Sequence, residues 1–260
     1  MSITSAWPRD YRPAPDLLAQ RVILVTGASR GIGHVAALTF ARHGATVILH
    51  GRDVERLEAV YDEIDAAGGP QPIILPLDLA KAGERDYDNL AQAIESQLGR
   101  LDGILHNASH HTPLSALQNE RLTQWLDLLR VNLAAPFALT QACAHLLRAA
   151  ADASVILTAE THALRPAAFW GGFAVSKAGL LALSTIQAQE WDALPNVRIN
   201  VVVPGKVNSP LRGRTHPGET VAERAAPESL MPLYLYLIGP DSRGTSGGVF
   251  EARALDSSDP

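Results

Sequence analysis

Apolar and polar positions follow two periods along this chain. Short unbroken apolar runs recur at Val22–Thr26, Thr46–His50, Ile73–Leu77, Leu101–His106, Ser154–Thr158 and Val197–Val203, with a last one at Gly247–Glu251. Runs of this length, bounded by glycine, proline or polar turns, predict strands buried on both faces. Longer stretches with helical spacing lie between them: Gly33–His43, Val54–Ala67, Glu84–Leu98, Glu120–Ala150, Gly171–Trp191 and Pro227–Ile238. Gly44 is placed to close the first helix, Asp53 to cap the second, and Gly68-Gly69-Pro70 to end it. Pro136 interrupts the fourth stretch and predicts a kink or break at that point. Strands alternating with helices predict an α/β fold, a Rossmann-type doubly wound parallel sheet of about seven strands flanked by helices. There is no internal repeat and no linker, so residues 21–255 read as one domain. Residues 1–20 read as an arm, packed on the surface or partly disordered, and the tail to Pro260 is polar. Residues 206–226 carry proline, glycine, arginine and histidine without periodicity and read as a mobile loop near a ligand.

One junction carries chemistry. Thr26-Gly27-Ala28-Ser29-Arg30-Gly31-Ile32-Gly33 joins the first strand to the first helix. Glycines there let the backbone approach a phosphate, and the helix beyond points free N–H groups and its positive dipole end at the same place. This predicts a dinucleotide site across the strand ends.

Composition narrows the partners. A net charge of −5 offers no basic face for nucleic acid or an anionic membrane. No apolar run approaches the ~20 residues that span a bilayer, and the start of the chain, with Trp7, Pro8, Arg9 and Asp10, lacks the apolar segment of a signal peptide. A cytoplasmic protein is the expectation. The lone cysteine, Cys143, excludes an intramolecular disulfide and reads as a small core residue. Nine histidines are present, among them His106, His110, His111 and His162, but no metal-ligand spacing accompanies them, so no metal is expected.

From Val22 to Glu251 the chain resembles the classical short-chain dehydrogenases/reductases. The turn Gly27-xxx-Gly31-x-Gly33 is similar to that family's cofactor turn, with Ser29, Arg30 and Ile32 inside it. Asp78-Leu79 matches the residues that hold adenine. Asn107-Ala108-Ser109 matches the segment after the fourth strand, with His106 and Ser109 as departures. Asn132 matches the asparagine of the long helix, Lys177 the lysine four residues beyond the catalytic tyrosine, and Pro204-Gly205-x-Val207-x-Ser209 the segment bordering nicotinamide. The resemblance implies oxidoreductase chemistry and a homodimer or homotetramer joined through the helices near 120–150 and 171–191. The second strand ends at about Gly51, without the carboxylate that would repel a 2′-phosphate. Arg52 and Arg30 could clamp that phosphate, so NADP(H) is expected over NAD(H). Asp53 is the helix cap.

The catalytic pattern breaks at two positions. Phe173 stands where the resembled family has its proton-donating tyrosine, and Glu160 where it has the serine that holds the substrate carbonyl. Phenylalanine has no proton to give, and an ionised Glu160 opposes charge developing on a carbonyl oxygen. The first reading is a cofactor-binding protein with weak or no standard carbonyl reductase activity. The second is an active enzyme with a rearranged acid: Glu160 kept neutral by burial, His162, Thr161 or another loop group. The third takes a tyrosine from elsewhere, with Tyr234 and Tyr236 as candidates. Asn132 and Lys177 suit cofactor binding more than catalysis. Phe169-Trp170 read as packing, and Arg165, Arg212 and Arg214 as solvated loop charges.

Overall fold

The computed structural model describes residues 4–252. The first three residues of the arm, the expected domain end at 255 and the polar tail lie outside the described residues. Seven strands form one sheet: β1 Val22–Thr26, β2 Thr46–Gly51, β3 Ile73–Pro76, β4 Gly103–His106, β5 Ala153–Thr158, β6 Val197–Val203 and β7 Val249–Glu251. Their spatial order is β3-β2-β1-β4-β5-β6-β7, and each pairing is parallel.

Among the described residues ten α-helices connect and flank the sheet: α1 Gly31–Arg42, α2 Val54–Ala66, α3 Glu84–Leu98, α4 Leu122–Leu129, α5 Ala135–Ala142, α6 Ala144–Ala149, α7 Thr161–Leu164, α8 Gly171–Glu190, α9 Pro210–Thr215 and α10 Met231–Ile238. Alternate strand residues feed two cores, as the two-residue period requires. Leu24, Ile48, Ile104, Val155 and Val201 pack with Tyr87, Leu90 and Ile94 of α3, Leu139 of α5 and Leu180 of α8. Ile23, Val25, Leu49, Leu105, Ile156 and Val202 pack with Phe40 of α1, Val60 and Ile64 of α2, and Leu233 and Leu237 of α10. Cys143 is fully buried in the first core. The apolar α10 sequence is thus consumed within the chain. Strand order reverses between β1 and β4, which opens a crevice at the strands' C-terminal ends.

Four expectations change. The long helix breaks before Pro136, not at it. A π-helical turn occupies Arg130–Ala134, and the Ala135 N–H reaches back to the Arg130 carbonyl. Pro136 has no N–H for the carbonyl four residues earlier, on Asn132, and its ring crowds that carbonyl, so the preceding turn widens. The arm is more than a surface strap. Leu18 is fully buried, Ser5 N–H donates to the Val249 carbonyl (2.6 Å), and Tyr11 packs edge-on against Tyr236. The segment 206–226 is built rather than structureless. It contains α9, a bridge between Val207 and Ala225, and a buried ion cluster in which Arg212 and Arg224 share Glu219. The loop after β5 contains the short helix α7, which no periodicity announced.

Candidate functional site

The glycine turn is shaped by contact as well as by dihedral freedom. Gly27 and Gly31 have φ of 68° and 59°, in the left-handed region. At Gly33 a Cβ would lie 2.3 Å from the Gly27 carbonyl oxygen and 2.6 Å from Asn107 Nδ2. The turn therefore lies tightly against the exit of β4. Thr26 Oγ1 fixes the same junction by accepting from the N–H groups of Asn107 (3.0 Å) and Ala108 (3.1 Å).

A cavity of about 410 Å³ runs from this turn across the strand ends. Gly27, Ser29, Arg30, Gly31 and Ile32 line one part, with Gly51, Arg52, Asp78 and Leu79 beside them. Asn107, Ala108, Glu160, Phe173 and Lys177 line the middle, and Pro204, Gly205, Val207 and Ser209 complete the wall. Two sequence-predicted residues stand behind that surface. Gly33 packs the turn. Asn132 is buried, accepts from His110 N–H (2.7 Å), and donates to the His110 carbonyl and to Ser176 Oγ, both at 3.0 Å. Its amide thus ties the loop after β4 to α8.

Lys177 is 3% exposed and donates to the Thr158 carbonyl at 2.9 Å. Burial lowers its pKa to about 8, and the charge of Glu160 opposes the shift. Phe173 faces it, with Lys177 Nζ 6.0 Å from the ring centroid. Phe173 also meets His111 edge-on at 5.2 Å and packs with Trp170, Leu128 and Ala174. Glu160 is the N-cap of α7. Its Oε2 accepts from the His162 N–H (2.7 Å) and lies 2.9 Å from His162 Nδ1. His162 in turn is buried and stacks on Trp170, with centroids 3.6 Å apart. Gly172 N–H donates to the carboxylate of Glu120, which caps α8 from outside the helix.

Several expectations are corrected by this geometry. Of His106 and His110, both expected to line the pocket from their place after the fourth strand, His106 turns into the core, where its Nε2 meets Thr140 Oγ1 at 2.8 Å; His110 does line the cavity, and His111 lines it too. Tyr234 is fully buried behind the wall, with its hydroxyl 3.3 Å from Thr158 Oγ1. Tyr236 faces the N-terminal arm. Trp170 lines the cavity, and its neighbour Phe169 is 59% exposed. Arg212 is buried and ion-paired rather than solvated, whereas Arg214 is exposed, as expected, and also lines the cavity. His111 and Arg214 were illegible as site residues because no motif surrounds either; only their return to the same crevice reveals them.

The residues present fit a dinucleotide with an added phosphate. The turn offers backbone N–H groups, and Arg30, Arg52 and Arg214 line the same cavity and make no ion pair among the described residues. Asp53, whose charge acts on Arg30, is engaged by Arg56 at 2.9 Å.

The short chain dehydrogenase family profile matches residues 21–220. This chain belongs to that family. The oxidoreductase YciK of Escherichia coli K12 is 39% identical over 243 residues, which cover 94% of this chain and 96% of YciK. A short chain dehydrogenase structure from Pseudomonas syringae is 42% identical with a TM-score of 0.92, covering 94% of this chain and 99% of its own. One from E. coli CFT073, solved in complex with NADPH, is 39% identical with a TM-score of 0.90, covering 93% of this chain and all of the other. The Rossmann-type sheet is the fold of these neighbours. Among the described residues no helix is long and apolar enough to cross a membrane.

Proposed function

We propose that this protein binds NADP(H) in the cavity above the glycine turn and has weak or no standard carbonyl reductase activity. Bound there, the cofactor supplies a hydride donor or acceptor. The observation that carries the second half is the environment of Phe173. The ring closes the cavity wall opposite Lys177, and it presents no hydroxyl to the proton path. Loss of general acid–base catalysis removes about 10²–10⁴ in rate. Glu160 is held at the start of α7, where its Oε2 meets the backbone N–H and Nδ1 of His162. Lys177 and Asn132 keep work that needs no chemistry: one bridges β5 to the cavity, the other splints the loop after β4.

The NADPH-bound E. coli neighbour supports the cofactor half of the reading. The unpaired arginines support a phosphate on the adenosine ribose. Self-association through α4, α5 and α8 is the accompanying proposal. It is supported by Leu122, Leu126, Phe137, Val175 and Ile186, which these helices leave exposed; sedimentation measures it.

The test combines a binding titration with turnover. NADPH is mixed with ketones, aldehydes and quinones, and absorbance at 340 nm is followed. Saturable NADPH binding with turnover far below that of the Phe173→Tyr, Glu160→Ser double variant supports the reading. Rapid turnover by the unaltered chain refutes it.

A further inference from the structure

The arginines of segment 206–226 are treated in two different ways. Arg212 and Arg224 are buried and share Glu219, so their charges are spent inside the segment. Arg214, two residues beyond Arg212 on α9, makes no ion pair or side-chain hydrogen bond among the described residues and lines the cavity. The cluster around Glu219 fixes the backbone from which Arg214 projects. The root of α9 already rests on the glycine turn: a Cβ at Gly31 would meet Pro210 Cδ at 3.3 Å and Ser209 Cβ at 3.7 Å.

Arg30, on the glycine turn, and Arg52, after β2, line the same cavity, and neither makes an ion pair among the described residues. Burial and then the charge of Arg214, followed by those of Arg56 and Arg52, lower the Arg30 pKa, with Asp53 alone opposing. Three guanidinium groups from three separate segments thus line one cavity in a chain of net charge −5, and the charge of Arg214 also reaches His111 at the catalytic end. Like charges held together without an anion repel one another, and a dianionic phosphate among them converts that repulsion into charge-assisted hydrogen bonds.

The geometry points to Arg214 as a third clamp on the cofactor's 2′-phosphate, a residue through which that phosphate draws α9 down onto the glycine turn. This rests on the NADP(H) reading above. It adds that the choice of NADP(H) over NAD(H) is made partly by a segment that also borders the catalytic end, where Leu211, Thr215 and Trp170 meet the same cavity. A phosphate at one end of the cavity then orders the wall at the other. Arginine suits the role because its planar fork meets phosphate oxygens in pairs, whereas lysine offers a point charge.

The experiment titrates the full-length chain and its Arg214→Ala and Arg214→Lys variants with NADPH, NADH, adenosine 2′,5′-bisphosphate and ADP. Tryptophan fluorescence, to which Trp170 in the cavity wall contributes, and calorimetry report binding. Hydrogen exchange across 206–226 is followed in parallel. Arg214→Ala is expected to weaken NADPH and the bisphosphate about 10-fold and to change NADH and ADP less than 2-fold. Arg214→Lys is expected to recover only part of the loss. NADPH should slow exchange in 206–226 more than NADH does, and Arg214→Ala should erase that difference. Arg148→Ala, an exposed arginine outside the cavity lining, controls for lost net charge and should leave every value unchanged. If the unaltered chain binds NADPH no more tightly than NADH, the cofactor reading itself falls. If it prefers NADPH and Arg214→Ala keeps the full preference, or weakens all four ligands equally, the clamp is refuted while the cofactor reading stands.

Discussion

Lowering the pH from 7 to 5 should destabilise the protein through two buried histidines, and His50→Leu should remove about half of that effect. His50 and His106 flank Thr26 in one row across β2, β1 and β4. Both are buried, and neither His50 nitrogen has a hydrogen-bond partner. Burial depresses the His50 pKa to about 4. Burial, then the nearby charges of His50 and Lys177, take His106 to about 3. In the unfolded chain both sit near the ordinary value of about 6.5. The sign follows from which state holds the proton. Below about pH 6.5 the unfolded chain is protonated while the folded chain is not, so stability falls as pH falls, until the folded pKa is reached. The slope is about 1.4 kcal/mol per pH unit for each histidine, or roughly 2 kcal/mol each between pH 7 and 5. For a chain of this size that is roughly 4–8 °C of melting temperature per histidine. Urea and thermal melts of the wild-type chain and His50→Leu at pH 7, 6 and 5 measure it. The variant should be no less stable at pH 7, because leucine fills the site without unmet nitrogens, and its loss toward pH 5 should be roughly 2 kcal/mol smaller. Parallel pH profiles, or a wild-type chain that gains stability on acidification, would refute the reasoning.

Two further outcomes are expected. Asp152 sits under the sheet against Arg21 (2.7 Å), Arg198 (2.5 Å) and Arg243 (3.1 Å); Asp152→Asn leaves buried guanidinium groups uncompensated and should cost about 3–5 kcal/mol in denaturant melts. Burial pushes that carboxyl up, but hydrogen bonds and charges of Arg198 and Arg21 outweigh it and hold the pKa low; its contribution is therefore present above about pH 4 and is lost on further acidification, so wild type and variant should converge there. Gly33→Ala forces a methyl group to within 2.3 Å of the Gly27 carbonyl and must push the turn out of shape; NADPH affinity should fall at least ~10-fold, and an unchanged titration would show that the turn does not hold the cofactor.

Strand positions and the parallel order were legible because a sheet covered on both faces leaves unbroken apolar runs, and these survive any change in helix detail. The glycine turn was legible from the residues themselves, and Asp78-Leu79, Asn107 and Lys177 from the resemblance to the family pattern; all reach the same cavity. What sequence alone missed depends on distant returns of the chain. His106 and His110 sit four residues apart at one strand end, yet one faces the core and the other the cavity, because the strand's two-residue alternation ends between them. The polar segment 206–226 owes its order to Glu219, whose two arginine partners lie seven and five residues away with no helical or strand period linking them. The break before Pro136 needed the π turn that the proline provokes one turn upstream.

Phe173 and Glu160, the two positions on which the proposed loss of activity turns, each support their surroundings. Phe173 is 2% exposed and packs with Leu128, Trp170 and Ala174, while Leu211 of α9 closes on the same cluster. Glu160 starts α7 and anchors His162, and His162 carries the Trp170 ring by stacking. Trp170 therefore rests on both substituted positions at once. Phe173→Tyr keeps the ring volume and adds one hydroxyl, which stays unburied only if it points into the cavity toward Lys177. Glu160→Ser keeps an oxygen that can cap α7 but gives up the contact to His162 Nδ1, so it loosens the platform beneath Trp170 while it removes a carboxylate from the cavity. The two changes oppose each other in this respect, and their effects should be strongly non-additive, as for any pair that shares a partner. A rise in turnover from Phe173→Tyr alone would mean that Glu160 had been compatible with carbonyl reduction and that the missing proton donor was the whole barrier. A rise only in the double variant would place the second barrier in the charge of Glu160.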